Sequence, residues 1–521
     1  MRPGQWSQPA DDRGLNVVDA IERAPGGLTL PDLSRLLSER PPLALTGDWR
    51  TAVQTGADTI AAIAASDEPV YGVNTGFGLL ARESIPQDKL RNLQRRLVRS
   101  HAAGVGPALD DGCVHLILAL KANALAQGHS GVRPVVVETL LRLMEAGAYP
   151  VIPAQGSVGA SGDLAPLAHL SLALIGEGEV RMGGTVRPST DVLDELGIAP
   201  LDLQPKEGLA LLNGTQVSTA LAIAGYLRIE ACFHAALVAG ALSVDAAKGP
   251  TAPFDPRIQE LRRHGAQAAV AARLLDLLEG SEIRESHVHC DRVQDPYSIR
   301  CQPQVMGACL EQLDHVAAIL EREANAVTDN PLVFADTGEV LSGGNFHAEP
   351  VAMAADILAI VAAEIGNLSG QRTALLVNPA LSGLPPFLIE EAGLNSGFML
   401  AQVTAATLTS ENRGLAHPAS VDNVPTSADQ EDHVSMATHA SRRLLLMSDN
   451  LAGIVAIELL AATQGLDLHA PMKTSPKLQV HHDAIRARVP FYDKDRPFAP
   501  DIEAIKAAIL EGAFGLGEIS S

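Results

Sequence analysis

Aromatic residues are scarce in this chain, and cysteine and basic charge are also in short supply. Phe, Trp and Tyr together make up 3% of the 521 residues, so the core must be built mainly from Ala, Leu, Val and Ile. Strands are enriched in aromatic and β-branched side chains, and the shortage of aromatic ones favours close-packed helices over sandwiches. Hydrophobic residues still reach 46%, which excludes a disordered or fibrous chain.

The charge balance and the cysteines exclude several kinds of partner. Acidic residues outnumber basic ones by 61 to 39, which gives a formal net charge of −22, and an acidic surface repels nucleic acid. The five cysteines form no CxxC pair, as is typical of reduced thiols in a cytoplasmic protein. The N-terminal residues MRPGQWSQPADDRG lack the apolar segment of a signal peptide, and no run of about 18 residues is free of polar groups. We therefore expect a cytoplasmic protein without membrane contact.

The organisation of the chain changes near Pro205. Before it, loops rich in Gly and Pro alternate with short helical windows. After it, long apolar windows are separated by polar loops, and they run at about 207–247, 256–280, 301–325, 347–374, 386–413 and 431–463. Several exceed the usual length of a globular helix, which indicates a bundle of long helices. We predict a mainly α fold with an N-terminal lobe over 1–205 and a long-helix bundle, which is also the oligomerisation region, over 206–521.

A loop rich in Gly and Ser runs into an apolar helix at residues 156–170, which read GSVGASGDLAPLAHL. The amide nitrogen of Gly162 can attack the carbonyl carbon of Ala160 and close a five-membered ring, because glycine has no Cβ to block the turn. Loss of water from the ring and from the Ser161 side chain then leaves a methylidene group conjugated to a carbonyl, which is an electrophile. Asp163 can assist the proton transfers. Taken alone, the same residues also fit an ordinary N-cap before a helix.

Other motifs accompany this segment across roughly residues 50–465. They read YGVNTGFG (71–78), SHAAGVG (100–106), LLNGTQ (211–216), QDPYSIRCQPQ (294–304), SGGNFHAEP (342–350), SGLPPF (382–387) and PTSADQEDHVSM (425–436). In this order, the set resembles the family of histidine and aromatic amino-acid ammonia-lyases. The resemblance implies an ammonia-lyase/fumarase-like architecture and a homotetramer whose active sites are shared among three subunits. It also implies a methylidene-imidazolone (MIO) prosthetic group formed from Ala160-Ser161-Gly162, with no external cofactor.

The resemblance also assigns roles to single residues of the reaction site. Tyr71 matches the catalytic tyrosine of the family. Arg300 matches the residue that grips the substrate carboxylate, a task that suits a planar guanidinium group. Gln294 and Tyr297 precede Arg300 at intervals of three, so they can line the same pocket. The family pattern places Tyr297 and Asn213 beside the prosthetic group.

Two polar residues imply that the substrate ring is an imidazole. His101 follows Ser100, and the histidine-specific branch of the family carries Ser-His at this point, where the tyrosine and phenylalanine branches carry His-Leu or Phe-Leu. Glu431 matches an acidic residue of the same branch, and it competes with the catalytic tyrosine as the base for the β-proton. Phe346 matches an aromatic residue beside the prosthetic group, and Asn345 is a candidate for the substrate carboxylate. The resemblance thus implies deamination of L-histidine to trans-urocanate and ammonia, the first step of histidine degradation.

Several alternatives stay open on the sequence alone. An aromatic amino-acid ammonia-lyase, an aminomutase or a lyase for a modified histidine would use the same electrophile, and a helical scaffold would keep only the fold. We expect no metal site. His287, His289 and Cys290 lie close together in the sequence, but a zinc site needs a further pair of ligands, and no CxxC or HxxxH pair accompanies them.

Overall fold

The computed structural model describes residues 19–66, 69–76, 85–287, 294–517 and 519. Helices dominate these residues and the strands are short, which confirms the predicted mainly α fold. The helices of the first half are α1 (Leu30–Ser38), α2 (Trp49–Ala64), α3 (Leu90–His101), α4 (Asp111–Leu125), α5 (Pro134–Glu145), α6 (Leu164–Leu174), α7 (Ser189–Glu195), α8 (Glu207–Leu212), α9 (Gln216–Ala246) and α10 (Pro256–Arg262). Those of the second half are α11 (Gly265–Leu278), α12 (Glu282–Glu285), α13 (Tyr297–Arg300), α14 (Gln302–Ala324), α15 (Glu349–Leu376), α16 (Pro379–Ser382), α17 (Met399–Leu415), α18 (Ala437–Asp467), α19 (Pro476–Arg486) and α20 (Ala499–Leu510).

Short strands brace the loops between the helices. They are β1 (Ile21–Arg23), β2 (Leu43–Leu45), β3 (Val105–Ala108), β4 (Tyr149–Pro150), β5 (Pro153–Gln155), β6 (Glu179–Met182), β7 (Thr185–Pro188), β8 (Leu332–Phe334) and β9 (Glu339–Leu341). β1 and β2 pair in parallel, whereas β3–β5, β4–β6–β7 and β8–β9 are antiparallel. The β6–β7 hairpin turns at Gly183 and Gly184, whose φ angles are +58° and +77°, a conformation that glycine adopts without a steric penalty.

The centre of the molecule is a bundle of long helices. α9 and α18 pack along each other, α15 packs on both, and α14 and α17 each pack against α15. α9 and α18 are buried over most of their length, because long stretches of their sequences carry apolar or small residues on all sides. The predicted long-helix bundle is therefore present.

One fully buried ion pair joins three of these helices. Arg372 on α15 donates from Nε to Glu458 Oε1 on α18 at 2.5 Å and from Nη2 to Oε2 at 2.9 Å. Ser243 on α9 donates to the same carboxylate at 2.7 Å. A buried charge without its partner is costly, so this pair fixes how the three helices align.

Several predicted helix boundaries are wrong. The window at 207–247 is interrupted at Asn213, which is extended (ψ 135°), and at Gly214, whose φ is +130°. The window at 256–280 breaks at Arg263, which has a left-handed φ of +67°. The first half of the window at 386–413 is irregular up to α17 because of the preceding prolines and a positive φ of +55° at Phe387. Apolar periodicity alone did not reveal these breaks.

The apolar helices raise the question of membrane contact. α9, α15 and α18 are long and apolar enough to cross a membrane by length and composition, but 72%, 72% and 83% of their most apolar windows are buried inside the protein. Their apolar surface is thus covered mainly by the other helices of the bundle. The division of the chain at residue 205 stays a prediction, since α8 packs against α3 and α6 across it.

Candidate active site

The loop that carries Ala160-Ser161-Gly162 connects β5 to α6 and is held by close backbone contacts. Gly162 has a φ of +73°, and a Cβ at this position would lie 2.2 Å from the carbonyl oxygen of Gly214. Asp163 N donates to that same oxygen at 2.8 Å. At Gly159 (φ +66°), a Cβ would lie 2.3 Å from Ser435 Oγ. Only glycine fits these two positions, so the loop can pass this close to its neighbours.

Asp163 anchors the end of this loop. It is fully buried and accepts hydrogen bonds from Ser218 N at 2.7 Å, Ser218 Oγ at 3.0 Å, Thr438 Oγ1 at 2.5 Å and Ser157 Oγ at 3.2 Å. Burial raises the pKa of Asp163, and these hydrogen bonds act against that rise. The carboxylate holds the loop against the N-terminal turns of α9 and α18, a structural task beyond the predicted assistance to proton transfer.

The Ser161 hydroxyl group points at Glu431. Ser161 Oγ donates to Glu431 Oε1 at 2.7 Å, and Thr426 and Ser427 donate to the other carboxylate oxygen at 2.6 and 2.9 Å. Burial works to raise the pKa of Glu431, but the three hydroxyl groups and the nearby His101 outweigh it and lower the pKa. Glu431 is therefore held as a carboxylate next to Ser161.

His101, Glu431 and Ser161 form a first cluster of polar side chains. His101 is the last residue of α3, is half-buried, and its Nδ1 lies 2.9 Å from the carbonyl oxygen of Leu97 and 3.0 Å from Ser100 Oγ. It lies near enough to contribute to the lowered pKa of Glu431, so the two polar residues predicted from different motifs are in the same region of the site. The other ring nitrogen, Nε2, makes no hydrogen bond within the part of the chain that the structure describes.

Asn213 lies on the opposite side of the loop. Its Nδ2 donates to the Ser161 carbonyl oxygen at 2.9 Å, and its own carbonyl oxygen accepts a hydrogen bond from Lys121 Nζ at 2.7 Å. The side-chain oxygen of Asn213 is buried and has no hydrogen-bond partner among the described residues. An unpartnered buried polar atom is costly in free energy, so it marks a place where a further donor fits.

Gln294, Tyr297 and Arg300 form a second cluster. The Arg300 guanidinium group lies 4.6 Å from the centre of the Tyr297 ring, and its Nη2 donates to Gln294 Oε1 at 3.2 Å. Tyr297 is 69% exposed. Arg300 and Gln294 line a cavity of about 700 Å³ whose walls contain no residue of the 156–163 loop and none from the segment around Glu431. Two of the three predicted residues, Gln294 and Arg300, therefore line one cavity, whereas Tyr297 contacts Arg300 but does not line it. In this chain the cavity lies apart from the residues around Ser161.

The remaining predicted residues lie in turns. Tyr71 is half-buried in the turn at 71–74 and packs against the main core, whereas residues 77 and 78 of its motif lie outside the described residues. Asn345 is exposed and donates from Nδ2 to the Val327 carbonyl oxygen at 3.2 Å. Phe346 follows it, half-buried, before α15. His289 and Cys290, weighed as metal ligands on the sequence, also lie outside the described residues.

Lys121 contacts the site through Asn213 but was not predicted from the sequence. It is 1% exposed and stands within the apolar stretch HLILALKANAL of α4. A single lysine inside such a stretch is the signal that could have indicated a buried cation. Burial lowers its pKa from the ordinary 10.5 to about 7.

Comparison with known proteins assigns the family. The family model described as aromatic amino acid lyase matches residues 28–487. The chain belongs to this family. It is 58% identical over 494 residues to the histidine ammonia-lyase of Burkholderia cenocepacia (strain HI2424), which spans 95% of this chain and 97% of that protein. These matches confirm the resemblance that the motifs carry.

Solved structures of lyases and aminomutases share the fold. The crystal structure of histidine ammonia-lyase from Trypanosoma cruzi superposes with a TM-score of 0.88 at 41% identity, over 95% of this chain and 94% of that one. The tyrosine aminomutase of Streptomyces globisporus gives a TM-score of 0.88 at 36% identity, over 94% of this chain and 97% of that one. Proteins with more than one named activity therefore share the fold, so the substrate of this chain has to be argued from the residues of its site.

The buried Lys121 predicts a pH dependence of stability. Between about pH 7 and pH 10.5, the unfolded chain holds a proton on Lys121 that the folded chain has released, so rising pH favours the folded state. Lys121→Met removes this contribution. The melting temperature of the wild type relative to the variant should therefore rise between pH 7 and pH 9.5, as followed by circular dichroism. Lys89→Met, which replaces an exposed lysine, serves as the control. If the difference in melting temperature between the wild type and Lys121→Met is the same at pH 7 and at pH 9.5, the lowered pKa of Lys121 is contradicted.

Proposed function

We propose that this chain deaminates L-histidine to trans-urocanate and ammonia. The observation that carries the proposal is the polar cluster at Ser161, where Glu431 lies at hydrogen-bond distance and His101 lies close to Glu431. An imidazole ring can hydrogen-bond to both a histidine and a carboxylate, whereas a phenyl ring can bond to neither. The similarity to histidine ammonia-lyases supports the same substrate. A tyrosine aminomutase has the same fold, and a phenol hydroxyl can also hydrogen-bond to these two residues, so the higher identity to histidine ammonia-lyases is what favours an imidazole over a phenol.

The electrophile of the reaction is proposed to be an MIO group made from Ala160-Ser161-Gly162. The Gly162 nitrogen bonds to the Ala160 carbonyl carbon, and two waters leave, one from the ring and one from the Ser161 side chain. Two features fit this group. The backbone at Gly162 lies so close to Gly214 that only glycine is accommodated, and the Asn213 amide donates a hydrogen bond to the Ser161 carbonyl oxygen, which becomes the ring carbonyl. The unpartnered side-chain oxygen of Asn213 fits it as well, because it can accept a hydrogen bond from the substrate amine. When formed, the group activates the substrate for loss of ammonia, and no external cofactor is needed.

The other residues of the chain bind and orient the substrate. We propose that Arg300 pairs with the substrate carboxylate, helped by Gln294 and Asn345, because a guanidinium group can hold both carboxylate oxygens. His101 and Glu431 hold the imidazole ring. Removal of the β-proton needs a base within hydrogen-bond reach. Tyr71 and Glu431 are the two candidates for that base.

We further propose that Tyr297 and Phe346 lie beside the prosthetic group in the assembled enzyme. Tyr297 contacts the group through its hydroxyl and Phe346 by packing.

The assembled enzyme is proposed to be a soluble, cytoplasmic homotetramer in which each active site combines residues of three subunits. The separation of the Arg300 cavity from the Ser161 cluster supports shared sites. Large apolar side chains exposed on α15, α17 and α18 support association, because such surface is normally covered; they are Met353, Ile360, Leu400, Val403 and Leu446.

The direct test of the electrophile is Ser161→Ala. The variant should fold, yet lose activity with L-histidine by several orders of magnitude, because no methylidene group can form without the Ser161 hydroxyl. Urocanate formation is followed by near-ultraviolet absorbance, and the mass of the peptide containing residue 161 should no longer be lowered by two waters. Ser171→Ala, which removes a buried hydroxyl that bonds only along α6, is the matched control. Near-normal turnover of Ser161→Ala would rule out this electrophile.

His101 is tested through selectivity. His101→Leu should lower kcat/KM for L-histidine relative to L-phenylalanine by roughly 10–100-fold, because one hydrogen bond to the substrate ring is lost and an apolar contact is gained. His101→Gln keeps a hydrogen-bonding group and should retain more of the selectivity. Equal selectivity in the wild type and in His101→Leu would remove this residue from the ring-binding role.

Sharing of the site between subunits predicts complementation. Ser161→Ala and Arg300→Met chains should each be inactive alone. When the two are expressed together and mixed at random, about a quarter of the sites should combine an intact Ser161 with an intact Arg300 from another chain. Recovery of urocanate formation in tetramers purified through tags on both chains supports shared sites. Mixed tetramers without activity would show that both residues must come from one chain.

A further inference from the structure

Two histidines and one glutamate that have no role in the proposed reaction lie close together beside the loop that carries Ala160-Ser161-Gly162, called the catalytic loop below. His347, Glu349 and His433 each offer a ligand atom, and these atoms lie within 4.8 Å of one another. The two histidines are 86 positions apart in the chain, so no local sequence motif indicates the cluster. His347 and Glu349 stand at the start of α15, and His433 stands in the segment that leads to α18.

The spacing of the two histidine nitrogens matches a shared metal ion. His433 Nδ1 and His347 Nε2 are 3.4 Å apart. Two imidazole nitrogens bound to one tetrahedral zinc at about 2.0–2.1 Å must lie roughly 3.3–3.4 Å from each other. Their ring centroids are 5.4 Å apart with a tilt of 40°, so the rings are not stacked and both nitrogens can face a common point.

Glu349 carries an unsatisfied carboxylate oxygen. Its Oε2 is buried and makes no hydrogen bond within the described part of the chain. A buried carboxylate oxygen without a partner carries a desolvation cost that a cation would offset. Histidine nitrogen and carboxylate oxygen are the ligand types that borderline divalent ions such as Zn²⁺ prefer.

We propose that His347, Glu349 and His433 form a binding site for a divalent transition-metal ion of the Zn²⁺ type. Three protein ligands leave a fourth position for water, and His433 is exposed, so the ion can enter from solvent. His347 Nε2 also lies 3.3 Å from the His433 carbonyl oxygen. Binding therefore requires the neutral tautomer of His347 that carries its proton on Nδ1, which frees Nε2 for the metal.

The position of the site gives the ion a structural role. Ala348, between two of the ligands, donates from its backbone N–H to the Gly159 carbonyl oxygen at 3.3 Å. Ser435, two residues after His433, donates to the same oxygen at 2.9 Å. A bound ion would therefore tie together the two segments that hold the catalytic loop at Gly159, and it should stabilise their contact.

The test measures metal binding and does not depend on activity, so it can fail while the proposed function holds. Bound metal is removed from the untagged protein with a chelator, and the protein is then titrated with Zn²⁺. The amount of zinc bound per chain is measured by inductively coupled plasma mass spectrometry. We expect one Zn²⁺ per chain and a higher melting temperature with the ion. His433→Ala and Glu349→Gln should weaken binding by at least the roughly 10–100-fold that loss of a supporting group costs.

A matched control and a spectrum make the result decisive. His264→Ala removes an exposed histidine whose Nδ1 lies 4.0 Å from Glu311, and it should bind Zn²⁺ like the wild type. Co²⁺ in the site should give the visible absorption of a tetrahedral ion with nitrogen and oxygen ligands. Binding that is equal in the wild type and in a His347→Ala/His433→Ala double variant would overturn the proposal. A Co²⁺ spectrum with an intense thiolate band would also overturn it, since it would assign the ion to a cysteine.

Discussion

The buried carboxylate of Asp163 is the contact on which the candidate site depends. It stands directly before α6 and accepts hydrogen bonds from Ser218 in the first turn of α9 and from Thr438 in the first turn of α18. The first turn of a helix leaves backbone N–H groups without helical partners and carries a partial positive charge. Three helix starts therefore meet around one negative group, which offsets the cost of burying it. This convergence sets the place of Gly162 against Gly214, and the bundle serves as the frame that brings the helix starts together.

The surroundings of the loop differ on its two sides. The Ser161 carbonyl oxygen faces the Asn213 amide, whose backbone is held in turn by the buried Lys121 amine. The Ser161 hydroxyl faces the Glu431 carboxylate. The loop thus has a hydrogen-bond donor, the Asn213 amide, on one side and a hydrogen-bond acceptor, the Glu431 carboxylate, on the other. In the proposed enzyme, the first side polarises the ring carbonyl and the second meets a basic substrate.

The fold class and the residues of the first cluster could be predicted from the sequence, but their spatial arrangement could not. The apolar windows of α9, α15 and α18 indicated buried long helices, and the choice of His101 and Glu431 indicated an imidazole site. The predicted window at 207–247 ran across Asn213 because the flanks of this residue are apolar and helical on both sides. Lys121 and the convergence of His347 with His433 depend on contacts between distant segments, which local periodicity does not encode. Similarity to known aromatic amino acid lyases establishes the family of this chain, whereas the roles of single site residues are predictions.

Loss of the Ser161 hydroxyl would change the state of Glu431 as well as that of the loop. In the unmodified chain, Glu431 accepts three hydroxyl hydrogen bonds, and Ser161 supplies one of them. Once that hydroxyl leaves as water, the oxygen that it occupied loses its donor, while Thr426 and Ser427 still hold the other oxygen in place. A carboxylate that is fixed at one oxygen and unsatisfied at the other is prepared to accept an N–H from a substrate imidazole. Formation of the electrophile and opening of the ring-binding position would then be one event. Within the proposed function, this coupling explains why the same side chain can serve the unmodified loop first and the substrate afterwards.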